Sequence, residues 1–198
     1  MNARPTIPGY TYGGAAVPSA PISLDEFELL KKTVLFTDDD VKALQQSKAV
    51  VQGQVEAILD VWYGFVGSNP HLLQTFTRLS DAQPDMDYLG AVRKRFSQWI
   101  LDTASGQYDQ AWLDYQFEIG RRHHRTGKNA TDHVAAVPHI PFRYIPALLY
   151  PVTATLRPFL AKQGHSQAEV GAMHQAWIKS VLLQVILWSH PYVKEGDY

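Results

Sequence analysis

Apolar residues in this chain recur at three- and four-residue intervals, in stretches bracketed by helix start and stop signals. Val41, Leu44, Val51, Val55, Ile58, Leu59 and Trp62 mostly keep that spacing after Thr37-Asp38-Asp39-Asp40. Leu89, Val92, Phe96, Trp99, Ile100 and Thr103 form a second stripe that starts at Asp85 and stops by Ser105-Gly106. A period near 3.6 turns one face of a helix toward a core, and no segment shows convincing two-residue alternation with hairpin turns. Ser23-Leu24-Asp25-Glu26 and Ser166-Gln167-Ala168-Glu169 have the capping-box form, in which serine and glutamate satisfy N–H groups left over at a helix start. The first opens a short helix through about Thr33; the second opens a last helix through Trp188 that Pro191 closes.

The remaining punctuation completes an all-α plan. The run that begins at Thr37 is expected to continue as one long helix to Gly67-Ser68. Asn69-Pro70 then starts a short helix, His71 to Phe76, and Ser80 to Pro84 is expected as loop. Tyr108 to Thr126 is expected as a helix stopped by Gly127, with residues 129–141 irregular. Phe142 to Ala161 is apolar but broken by Pro146, Pro151 and Pro158, which confine its regular part. Residues 1–21, with four prolines and three glycines, cannot sustain a helix and form an extended arm. The expectation is one domain spanning residues 1–198, with a helical core at 23–190 made of about six to eight helices.

Composition removes several classes of function. The net charge of −1 and the lack of a long basic run leave no electrostatic footprint for nucleic acid or an anionic membrane. Zero cysteine excludes disulfides, thiolate catalysis, iron–sulfur ligation and covalent heme attachment through CxxCH. The N-terminus lacks a basic start followed by an apolar run, so a secretory signal is not expected, and no stretch approaches the ~18–20 uninterrupted apolar residues of a membrane span. The cytoplasm is the expected compartment. HExxH, GxGxxG, GxSxG and phosphate-loop patterns are absent.

The strongest chemical signal is His123-His124. On a wheel of about 100° per residue, Asp114, Glu118, Arg121 and Arg125 fall within roughly 60° and mark the solvent face. His123 lies about 170° from the centre of that stripe and points inward, whereas His124 lies at its flank. An inward imidazole is either a core histidine bonded to a backbone carbonyl or a metal ligand. Gly120, one turn earlier, allows either tight helix packing or the close approach of a flat ring. Trp62, Tyr63 and Phe96 are aromatic residues at helical spacing, which suits a core as well as a pocket wall, and a buried Tyr63 phenol wants a hydrogen-bond partner. Arg93-Lys94-Arg95 offers guanidinium forks for carboxylates or a solvated helix face, the latter favoured for Arg93 and Lys94.

The run Leu113-Asp114-Tyr115-Gln116-Phe117-Glu118-Ile119-Gly120-Arg121-Arg122-His123-His124-Arg125 resembles the proximal-helix signature of protoglobins, relatives of the globin-coupled sensors. Ile7-Pro8-Gly9-Tyr10-Thr11-Tyr12-Gly13, Ile58 to Val66, Val92 to Phe96, Trp99 to Thr103, Tyr150 to Thr155 and Trp188 to Tyr192 are similar to the same family, so the resemblance covers nearly the whole chain. It implies a globin fold with an additional N-terminal helix and non-covalent heme b. It also implies His123 as the proximal iron ligand, a distal side of Trp62, Tyr63 and Phe96, and reversible binding of O2, CO and NO. An arm that helps bury the heme, apolar tunnels, and a homodimer through the last two long helices follow from it as well. Phe76 and Leu148 complete the expected pocket, and Arg95 is expected to bind the cofactor. Leu148 stands where relatives usually carry a large aromatic, and Pro146 falls two residues before it; both bear on tunnel width and ligand kinetics.

Three other readings accompany the gas-binding one. The same iron could turn over peroxide or reactive nitrogen species, although no distal His and Arg pair is apparent. The chain could signal gas binding to a separate protein, since about ten residues after Trp188 are too few for an output domain. A heme-free helical scaffold is the fourth.

Overall fold

The structure, a computed structural model, describes residues 7–198, so residues 1–6 of the expected arm lie outside the described residues. Nine α-helical segments follow the arm, and only isolated bridges, Thr77 with Pro84 and Arg78 with Ala136, stand in for strand pairing among the described residues. The all-α expectation holds.

The capping signals act where the sequence places them. Ser23 starts α1 (Leu24–Thr33), its side chain accepting from the Glu26 N–H while Glu26 accepts from the Ser23 N–H at 2.8 Å. Asp40 accepts from the Thr37 N–H at 2.8 Å at the start of α2 (Asp38–Val51), and Lys179 reaches the same carboxylate at 2.9 Å. The first helix turn of α2 is thereby tied to the last helix of the chain.

The single long helix expected from Thr37 to Gly67 is two helices, because α2 ends at Val51 and α3 (Val55–Gly67) begins after Gln52-Gly53-Gln54. Glycine loses the most backbone freedom in a helix, and here it sits between two polar residues that interrupt the apolar stripe. The Gln54 side chain donates to the Val50 carbonyl at 2.8 Å and to the Phe159 carbonyl at 3.3 Å, satisfying a carbonyl at the helix end and fixing the bend against a later helix. Pro70 then opens α4 (Pro70–Leu73), which tightens into a 3₁₀ turn at Gln74–Phe76.

Asp85 caps α5 (Met86–Ser105), and Gly106 ends it at φ +62°, a left-handed conformation that glycine adopts without strain. Asp109 caps α6 (Gln110–His123). That helix stops three residues before the expected Thr126, because His124 turns extended at φ −92°, ψ 158° and the His123 carbonyl accepts instead from the Ile140 N–H at 3.1 Å. The next apolar run forms α7 (Tyr144–Ala147) and α8 (Leu149–Leu160), which meet at Leu148. Pro151 falls in the first turn of α8, where its missing N–H has no helical partner, whereas Pro158 lies inside α8 and does not end its regular part as expected.

The last helix, α9 (Gln167–Trp188), is central. It packs on α8, α2 and α6, and Val170, Met173, Trp177, Val181, Leu183 and Leu187 are all buried. A helix apolar on most sides belongs in a core, and although α9 has the length and hydropathy of a membrane span, over half of the relevant stretch is buried in the protein. Its buried polar residues are matched: Trp99 donates its indole N–H to Gln184 Oε1 at 2.6 Å, and Trp177 donates to Ser47 Oγ at 2.9 Å. A buried indole left without an acceptor would cost about 1–3 kcal/mol.

Candidate functional site

Helices α3, α5, α6, α8 and α9 enclose a cavity of about 250 Å³. Each presents its inward face, so the apolar stripes that build the core also build the cavity wall. All seven residues singled out from the sequence, Trp62, Tyr63, Phe76, Arg95, Phe96, His123 and Leu148, line it.

His123 is the last residue of α6. Its Nδ1 lies 2.8 Å from the Ile119 carbonyl, and since a carbonyl only accepts, Nδ1 carries the proton and Nε2 keeps its lone pair. Desolvation holds the imidazole below the usual histidine range, outweighing the upward pull of the Ile119 carbonyl; Lys128 and Arg122 push in the same downward direction. The ring is therefore a neutral donor. It stacks on Trp188 with 5.2 Å between centroids and 22° between planes, and the Trp188 indole donates to Gln116 Oε1 at 3.0 Å.

Gly120 resolves its two sequence readings toward helix packing: a Cβ there would stand 2.9 Å from Trp188 Cα and 3.0 Å from Trp188 O. This close crossing of α6 and α9 brings Trp188 alongside His123. His124 lies apart from the cavity, its ring edge-on to His139 and Tyr192 and its Nδ1 3.1 Å from Thr126 Oγ1.

Elsewhere on the cavity wall, Trp62 is buried with its ring edge-on to Phe96 at 5.9 Å, and Phe96 leans on Trp99 at 5.1 Å. Burial pushes the Tyr63 phenol well above its ordinary range, so it stays protonated, with the Arg93 guanidinium 5.6 Å from its ring centre. Phe76 rests on Tyr88 at 5.6 Å, and Leu148 sits between α7 and α8.

The cations divide sharply. Arg93 bonds Glu56 and Asp60 on the surface, and Lys94 is exposed, which is the solvated-face reading for both. Arg95 lines the cavity, but its fork is taken by Asp132 at 2.9 and 2.6 Å and by the Pro8 carbonyl at 3.1 Å. Arg122 holds Glu118, the Gly9 carbonyl and Thr11 Oγ1. Two residues of the cavity wall thus bind the backbone of the arm at Pro8 and Gly9. Lys128, Asp132, Tyr88 and Trp188 also line the cavity and were not singled out for the site. Only Trp188 carried a signal, as part of the Trp188 to Tyr192 motif. Lys128 and Asp132 sit in or beside a stretch legible only as irregular.

This all-helical chain, with His123 on the wall of an aromatic-lined cavity, has the globin fold. In fold it is similar to the globin domain of the Geobacter sulfurreducens globin-coupled sensor, with a TM-score of 0.66 over 84% of this chain and 97% of that one, at 17% identity. The sequence profile of the protoglobin family matches residues 23–198, and the chain belongs to that family. A comparison with curated proteins finds no match.

Proposed function

We propose that the protein holds heme b non-covalently in this cavity, with His123 as the proximal ligand to iron, and reversibly binds O2, CO or NO. The observation that carries the reading is the His123 imidazole: neutral, fixed through Nδ1 by the Ile119 carbonyl, and keeping the Nε2 lone pair on a cavity wall. That donor set fits heme iron, since a ligating histidine is oriented by a hydrogen bond at its other nitrogen and no thiolate is available as a substitute. Bound heme supplies an iron centre with an open position for a diatomic gas. The chain's residues do the rest: Trp62, Phe76, Phe96 and Leu148 exclude water, Tyr63 offers a phenolic donor, and Arg95 and Arg122 hold the arm against the cavity.

The family membership supports a globin role, and the same reading takes the protein as cytoplasmic and as a homodimer through α8 and α9, where Tyr150 is strongly exposed. Light scattering of the purified protein tests the dimer. The visible spectrum tests the cofactor: an intense Soret band that shifts on reduction and again with CO is expected. His123→Ala is expected to abolish stable heme retention or leave a spectrally altered pigment, and an unchanged five-coordinate spectrum would overturn the ligand assignment.

A further inference from the structure

Lys128 is the only lysine or arginine that is buried among the described residues, and no carboxylate lies within ion-pair reach of it there. Its Nζ makes two short bonds, to the Thr75 carbonyl at 2.7 Å and the Val137 carbonyl at 2.6 Å. The third N–H meets only Asn129 Oδ1 at 3.4 Å, longer than an ordinary bond. The ammonium also lies 5.2 Å from the ring centre of Tyr88, and both residues line the cavity. The other two cations of the cavity wall are each neutralised, Arg95 by Asp132 and Arg122 by Glu118. Lys128 is therefore an uncompensated positive charge on an otherwise balanced wall. Holding an unpaired ion out of water costs several kcal/mol even after relaxation, a cost that an anion arriving with a ligand would offset.

We propose that Lys128 binds a carboxylate of the cavity's ligand, which, resting on the heme reading above, is a carboxylate side arm of the porphyrin. Its third N–H is the donor left for that group, and the Thr75 and Val137 carbonyls aim the ammonium while it waits. Burial drives the lysine down to about 8, as expected for a cation whose partner is not yet in place. Arg95, which the sequence offered for the same task, has its fork on Asp132.

The test compares heme with heme dimethyl ester, whose carboxylates are capped, by the rate at which each leaves the reconstituted protein for an excess of scavenger apoglobin. A charge-assisted hydrogen bond is worth about ten- to a hundredfold in such a rate. Lys128→Met is expected to lose heme faster by that factor and to lose the ester at the wild-type rate. Lys128→Gln keeps a donor for the two carbonyls without the charge and is expected to behave like Lys128→Met, whereas Lys128→Arg retains heme within a few-fold. The glutamine and arginine pair carries the test if the methionine variant does not fold. Equal acceleration for heme and ester would make Lys128 a structural bridge between Thr75 and Val137 and overturn the proposal alone. Failure of the wild type to take up either porphyrin would overturn the heme reading and this proposal together.

Discussion

The Trp188 indole lies nearly parallel to the His123 imidazole, 5.2 Å away, and is itself pinned by Gln116 at 3.0 Å. The Ile119 carbonyl sets the tautomer of His123, and Trp188 sets the plane of its ring. Trp188→Leu should therefore leave the imidazole bonded to Ile119 but free to swing. With heme bound through His123 as proposed, the iron–histidine stretching band in resonance Raman spectra is expected to shift or broaden. Urea denaturation is expected to show a loss of about 2 kcal/mol, because the Gln116 side chain is left buried without its partner.

Two glycines in helices should respond oppositely to alanine. At Gly120 the new Cβ meets the Trp188 backbone at 2.9 Å, and a backbone of a packed helix cannot swing aside as a side chain can. The overpacking cost of about 1–3 kcal/mol exceeds the roughly 1 kcal/mol gained in helix propensity, so Gly120→Ala destabilises. A Cβ at Gly171, on α9, meets nothing within 4 Å, so Gly171→Ala is expected to raise stability by up to about 1 kcal/mol. Thermal unfolding of the two variants beside the wild type checks both signs.

Lys128 makes the heme-free protein sensitive to alkali in a defined direction. Its folded-state pKa is about 8 against an ordinary 10.5, so between those values the folded chain binds fewer protons than the unfolded one, and stability rises with pH across that window. Below about 8 both states carry the charge and the whole penalty stands. Urea unfolding at about pH 8 and about pH 9.5 should differ by roughly 1–2 kcal/mol in favour of the higher pH, before the raised tyrosines Tyr63 and Tyr108 begin to act in the opposite sense. In Lys128→Met the rise is expected to disappear.

Tyr63 offers its phenolic proton on the cavity wall. If that donor serves a bound gas, Tyr63→Phe should speed O2 release by about two- to tenfold, the worth of one net hydrogen bond, and leave CO release nearly unchanged because CO is a poor acceptor. Stopped-flow ligand replacement measures both, and equal changes for the two gases would remove the hydroxyl from the account.

Much of the architecture was legible because its causes are local. The boxes at Ser23 and Ser166 and the Asp85 cap each involve groups within one helical turn, so their residue types announce them. The inward aspect of His123 follows from the same periodicity. Even so, the early end of α6 was not visible, since the Ile140 bond to His123 depends on a segment far along the chain. Gln52-Gly53-Gln54 carried a local signal for the α2–α3 break, but the Gln54 bond to Phe159 that fixes the bend did not.

The sequence by itself determined an all-helical chain, where most helices begin, the inward histidine and the family to which it belongs, because periodicity, capping and motif order need no partner. The tertiary structure decided the character of the site. It placed Trp188 against His123, spent Arg95 on Asp132 and the arm, and buried Lys128 beside Thr75, which is 53 residues away in sequence. The physical reason is that electrostatic pairing and ring stacking depend on which charges and surfaces meet after the helices pack, and no spacing along the chain encodes that distance directly.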